Sequence, residues 1–172
     1  HLFYTKYGDF MKVYHTLKPI YDHQSKVLIL GSMPSIKSKK VGFYYGHPKN
    51  RFWSTLATIY EEKIDDCIES KNQFLKKHHI ALFDVIQSCE IEGSSDSTIK
   101  HVIPNDLTEI LNHSQIQAIF TTGKKAYQLY QKYVYPKTKI QAISLPSTSP
   151  AYCKKGVEEM LIKEYQKIKL YT

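Results

Sequence analysis

Cysteine is scarce: Cys67, Cys89 and Cys153 stand far apart in 172 residues. Three widely spaced thiols build neither a disulfide framework nor a thiolate metal site, so a reducing cytosol is the expected compartment. No apolar run approaches the roughly 20 residues that span a bilayer, and no signal peptide is visible, so no membrane partner is expected. Neither GxGxxG nor GxxxxGK[ST] occurs, which argues against a nucleotide cofactor. Repeats, low-complexity tracts and long linkers are missing too. One domain covering residues 1–172 is expected, with 1–25 as an ordered lead-in. Acidic residues are outnumbered, 16 Asp+Glu against 24 Lys+Arg, for a formal net charge of +8. That excess favours polyanionic partners. Fourteen tyrosines add flat faces on which bases can stack, although most must serve the core.

What is present is an alternation of strands and helices. Val27-Leu28-Ile29-Leu30 has the length and branching of a fully buried parallel strand. Residues 80–85, 118–123 and 139–145 read as three more, with Asp84 near the carboxyl end of the second. Asn50 stands at a helix start, and Trp53, Leu56, Ala57 and Tyr60 follow at helical spacing. A helix over 67–78 is predicted to bury Cys67, Phe74 and Leu75. Pro104-Asn105-Asp106 starts a short helix, Ala126 to Tyr133 lie on another, and 156–168 form a closing one. The loop Glu92-Gly93-Ser94-Ser95-Asp96-Ser97 is polar and small. Such alternation predicts an α/β fold with right-handed crossovers and a parallel sheet covered on both faces.

Two loops carry the chemistry. Gly31-Ser32-Met33-Pro34-Ser35 leaves the first strand, and Leu145-Pro146-Ser147-Thr148-Ser149-Pro150 leaves the last. Both depart from carboxyl ends of parallel strands, where open α/β sheets bind ligands. They can therefore line one cleft although more than a hundred residues separate them. Between them comes Phe43-Tyr44-Tyr45-Gly46-His47-Pro48-Lys49-Asn50, flanked by Lys37, Lys39 and Lys40, which read as a solvated basic face.

The order GSMPS, GFYYGHPKNRFW, GSSDS and LPSTSPA resembles the uracil-DNA glycosylase superfamily, over about Lys26 to Tyr152. The pattern is most like that of the mismatch-specific uracil- and thymine-DNA glycosylases and their hypoxanthine-DNA (deoxyinosine) glycosylase relatives. The resemblance implies a three-layer α/β/α sandwich with a four-stranded parallel sheet, and base excision without a cofactor or metal. It implies base contacts from Gly31, Ser32, Met33, Pro34 and Ser35, stacking by Tyr45, and a bond from Asp84 to the base edge. Leu145, Pro146, Ser147, Thr148, Ser149 and Pro150 correspond to the loop that grips DNA phosphates and enters the helix. Met33 departs from the mismatch-specific pattern, whose Asn at that place positions water. In the hypoxanthine branch the amide of the HPxN segment compensates, and here that is Asn50, with His47 as its catalytic companion.

The expected activity is therefore monofunctional hydrolysis of the glycosidic bond of a deaminated base in DNA, hypoxanthine ahead of uracil. The enzyme is expected to act as a monomer in a nucleoid-associated cytoplasmic setting. Two alternatives stay open: a mismatch-specific uracil or thymine glycosylase, and a catalytically silent nucleic-acid-binding domain on the same fold.

Overall fold

Four short apolar strands bury themselves most fully side by side, and that sheet organises the molecule. A computed structural model describes residues 4–7, 10–92 and 99–172. Strand β3 (Val27–Gly31) is one of the sheet's two interior members, and each of its residues is buried. It pairs in parallel with β4 (Ile80–Asp84) on one side and β7 (Ala118–Thr122) on the other; β8 (Ala142–Leu145) pairs beyond β7. Register places Asp84 opposite Gly31 and Thr122 opposite Leu145. The carboxyl edge thus gathers the ends of all four strands, and helices flank the sheet in the predicted α/β arrangement.

Helix α2 (Phe52–Ile59) buries Phe52, Trp53, Thr55, Leu56 and Ile59, so Ala57 and Tyr60 lie at the edge of its core stripe. Helix α3 (Ile68–Lys77) buries Phe74 and Leu75, but Cys67 is exposed, contrary to the expectation from sequence. Its sulfur sits at the N-cap, where it accepts from Ser70 N at 3.5 Å, and the cap lies outside the stripe that faces the core. The short helix after Pro104 is α4 (Thr108–Asn112), and α5 (Lys124–Tyr133) follows β7. Strand β8 is shorter than predicted. Residues before it form the single turn α6 (Tyr135–Thr138), closed by Lys139 in a left-handed conformation (φ 58°). The last helix, α7 (Val157–Tyr165), continues as a 3-10 turn to Leu170.

A second sheet was not foreseen. Strands β1 (Tyr4–Tyr7), β2 (Phe10–Tyr14), β5 (Ile86–Glu92) and β6 (Lys100–Pro104) form an antiparallel sheet in the order β1-β2-β5-β6. The lead-in of residues 1–25 is thus partly strand, and Pro104 ends a strand before the short helix begins. Only Val85 separates β4 from β5, so the chain changes sheets immediately after Asp84. Asn105 pins that joint. Its side-chain amide donates to Asp84 O (2.9 Å) and Ile86 O (3.1 Å), and its backbone N–H donates to Val85 O (2.8 Å). The polar loop at 93–98 lies outside the described residues.

Candidate active site

A cleft of about 740 Å³ opens at the carboxyl edge of the parallel sheet. All of Gly31, Ser32, Met33, Pro34 and Ser35 line it, as do Ser147, Thr148, Ser149 and Pro150 from the second loop. Tyr45, His47, Asn50 and Asp84 line it too. The two distant turns therefore meet at one mouth. Leu145 and Pro146 do not reach it among the cleft's lining residues. Leu145 is in the core, and its carbonyl accepts from Gly123 N at 2.8 Å. The Pro146 carbonyl accepts from the Tyr165 hydroxyl at 2.8 Å. Buried Leu145 anchors the loop, and half-buried Pro146 ties it to the last helix through its carbonyl.

The floor is built on Gly31. A methyl group there would stand 2.5 Å from Asp84 Oδ1, 3.5 Å from the Tyr45 hydroxyl and 3.6 Å from Thr122 Oγ1. Glycine is what lets a carboxylate and a phenol close over the strand end. Asp84 is nearly inaccessible, and its Oδ2 lies 2.8 Å from Nε2 of equally buried His15. His15 follows β2, and its backbone N–H bonds Gln87 O at 2.7 Å, so the second sheet supplies the partner. Among the described residues Oδ1 has no such partner and is the oxygen left for a ligand. His15 escaped the sequence reading because it lies in a stretch without apolar period; a lone histidine there carries no signal of a carboxylate 69 residues away.

The three aromatics divide their labour. Phe43 and Tyr44 are core, and the Tyr44 hydroxyl donates to Lys18 O at 2.8 Å. Tyr45 adopts a left-handed backbone (φ 54°), an uncommon state that turns its ring into the cleft. One face stacks on Phe52 at 3.8 Å and 13°, and the hydroxyl meets Thr122 Oγ1 at 3.1 Å. The ring is thus held at one face and one end, leaving the other face for a base. Burial raises the Tyr45 pKa, and the Asp84 charge adds to it against the Thr122 bond. The phenol stays neutral at physiological pH and cannot serve as a base.

Asn50 lies one residue before the helix cap position, which Arg51 occupies. Its Oδ1 accepts from Phe52 N at 2.9 Å, and its own N–H donates to His47 O at 2.9 Å. The amide oxygen therefore caps α2 and retains a second lone pair toward the cleft. His47 Nδ1 accepts from Lys49 N at 3.0 Å, which in the neutral ring places the proton on Nε2. The imidazole is therefore a donor to whatever meets Nε2.

Arg51 is a residue whose role the sequence did not disclose. Its backbone N–H donates to Thr148 O at 3.1 Å. Its guanidinium donates to Ser149 O at 2.7 Å and to Tyr152 O. Within the same loop, Ser147 Oγ accepts from Ser149 N and Ser149 Oγ from Ala151 N. The second loop is thereby stiffened and tied to the segment bearing Asn50. One cleft thus joins a glycine floor, an aromatic ring, a carboxamide and a braced, hydroxyl-bearing loop.

Comparison with known proteins decides the family: the model of the uracil DNA glycosylase superfamily matches residues 19–168. The chain belongs to that superfamily. It is 34% identical to the hypoxanthine DNA glycosylase of Methanosarcina acetivorans, over 77% of this chain and 84% of that one. Against the hypoxanthine DNA glycosylase of Methanosarcina barkeri the identity is 32%, over 63% of this chain and 70% of the relative. A solution NMR structure of a candidate uracil DNA glycosylase from Methanosarcina acetivorans superposes with a TM-score of 0.75 at 29% identity. It covers 90% of this chain and 98% of its own. This superfamily member is accordingly a DNA glycosylase, a hydrolase of N-glycosidic bonds, and DNA is its substrate. Among the described residues no helix is long and apolar enough to cross a membrane.

Proposed function

We propose that the enzyme is a monofunctional glycosylase that removes hypoxanthine from DNA, with uracil as a second substrate. The observation that carries this reading is the position of Asp84 on the cleft floor, one oxygen held by His15 and the other toward the ligand. A carboxylate accepts from a ring N–H. Deamination creates that N–H, since hypoxanthine and uracil carry it where adenine and cytosine carry an acceptor nitrogen. Two relatives are named for hypoxanthine, which supports ranking the purine first.

A base within a duplex is hidden, so it must be everted, at a cost of a few kcal/mol. Stacking on Tyr45 offsets about 1–3 kcal/mol of that. Ser147 to Pro150, braced by Arg51, fill the gap and grip the flanking phosphates. Cleavage builds positive charge on the sugar and negative charge on the departing base. Amides of the Ser32–Met33 turn, aimed at the base, stabilise the latter. Asn50 Oδ1 accepts from a water whose oxygen attacks C1′, and the His47 Nε2–H donates to the base or a phosphate. The Met33 side chain carries no carboxamide, so Asn50 holds the water without it.

Incubation with duplexes containing deoxyinosine, deoxyuridine, a T:G mispair or only normal bases tests this reading. Scission after alkali, and none without it, is expected for deoxyinosine first and deoxyuridine second. Intact strands in every case would instead mark a silent binding domain. Tyr45→Leu keeps bulk but loses the π-face, and slower excision by about 10- to 100-fold is expected from the stacking range above. Unchanged single-turnover rates would place the base elsewhere. Affinity should weaken with salt, since Lys37, Lys124 and Lys125 stand on the cleft.

A further inference from the structure

The sequence assigns Lys39 to a solvated basic face, and the structure turns it inward. Lys37 and Lys40 on either side are exposed; Lys39 is half-buried and lines the cleft. It lies on α1 (Ile36–Val41), the turn that follows the first loop. Buried Ser38 fixes that turn, because its Oγ accepts from Gly46 N at 2.9 Å beside Tyr45. Lys39 Nζ donates to Tyr14 O at 3.0 Å, and the next residue is His15, whose ring holds Asp84. The ammonium therefore stands beside the backbone that leads into His15, on the same cleft as Asp84, with two further N–H donors beyond the one bound to Tyr14. Burial lowers its pKa, while Cys89 and Asp84 act in the opposite direction. A surface lysine reaching for phosphates would carry no such signature.

We propose that Lys39 donates to the exocyclic oxygen adjacent to the ring N–H that Asp84 accepts, so that the pair reads the lactam created by deamination. This deepens the glycosylase reading and rests on it. Adenine and cytosine invert both groups: their ring nitrogen confronts the carboxylate and their amino group confronts the ammonium. Each mismatch sets acceptor against acceptor at Asp84 and donor against donor at Lys39, and polar sites reject analogues strongly by leaving such groups unpaired. The same cation does catalytic work. As the glycosidic bond breaks, negative charge spreads from the ring nitrogen to that oxygen, and a half-buried ammonium held in place by Tyr14 stabilises it there more than in the bound substrate.

The experiment compares deoxyinosine with 6-thiodeoxyinosine in duplex DNA under single-turnover conditions. The thio base keeps the ring N–H and replaces the oxygen with sulfur, a weak acceptor. Lys39→Met is expected to slow hypoxanthine excision by about 100-fold, the scale of a lost transition-state donor, and to slow the thio substrate far less. The oxygen-to-sulfur rate ratio therefore collapses. Lys39→Gln keeps a neutral donor and should retain part of that ratio, which carries the test should the Met variant fail to fold. Equal slowing on both substrates, or none, overturns the assignment while the glycosylase reading stands. Wild-type protein inert on both substrates overturns the two together.

Discussion

Asn50→Ala is expected to slow single-turnover excision by about 10²-fold, the scale of losing the group that positions a reactant. The fold should survive it. Asn50 Oδ1 also receives the Phe52 N–H, so alanine removes a cap, and losses of that kind cost about 0.5–2 kcal/mol. In a chain of this size each kcal/mol lowers Tm by about 2–4 °C. Those two effects separate the roles. Asn50→Asp preserves the acceptor for Phe52 and can still hold a water, so it should keep most of the stability and much of the rate. A variant that loses a few degrees of Tm and no activity would reduce Asn50 to a structural cap. The water would then need another holder, and Met33 cannot be it.

Arg51→Met is expected to slow excision from duplex DNA by about 10²-fold and to lower Tm by several degrees. The guanidinium serves two loop carbonyls, of Ser149 and Tyr152, and bonds to a charged group contribute about 1.5–3 kcal/mol each. Methionine fills the space but leaves those carbonyls to water. The loop from Ser147 to Pro150 then loses its brace while the base pocket on the far wall is untouched. Hence the loss should be larger in duplex than in single-stranded substrate, where nothing has to be pried apart. An equal loss in both would show that Arg51 matters to the pocket itself.

Much of this architecture was legible in the sequence because its signals are local. Val27 to Leu30 is a continuous apolar run, Gly31 and Leu145 end strands, and the two loops sit where parallel strands place ligand sites. Asp84, Tyr45, His47 and Asn50 were chosen from short motifs and they line one cleft. What stayed hidden depends on non-local pairing. Strand β2 mixes Lys12 with aromatics, and β5 changes register against β6 between Ile86 and Glu90, which breaks the two-residue period. His15 was invisible for the same reason, and Lys39 because solvated and buried lysines look alike in a charge run. Leu145 shows the opposite error. A motif has a definite span, and its first residue belonged to the core.

Consider the joint after Asp84 once more. The carboxylate belongs to the parallel sheet, yet the imidazole that orients it and the carbonyl that holds Lys39 both come from the chain's first strands. On the roles proposed for Asp84 and Lys39, the helix-covered layer alone would retain the amide of Asn50 but lose both supports that let the pair tell a deaminated base from its amino parent.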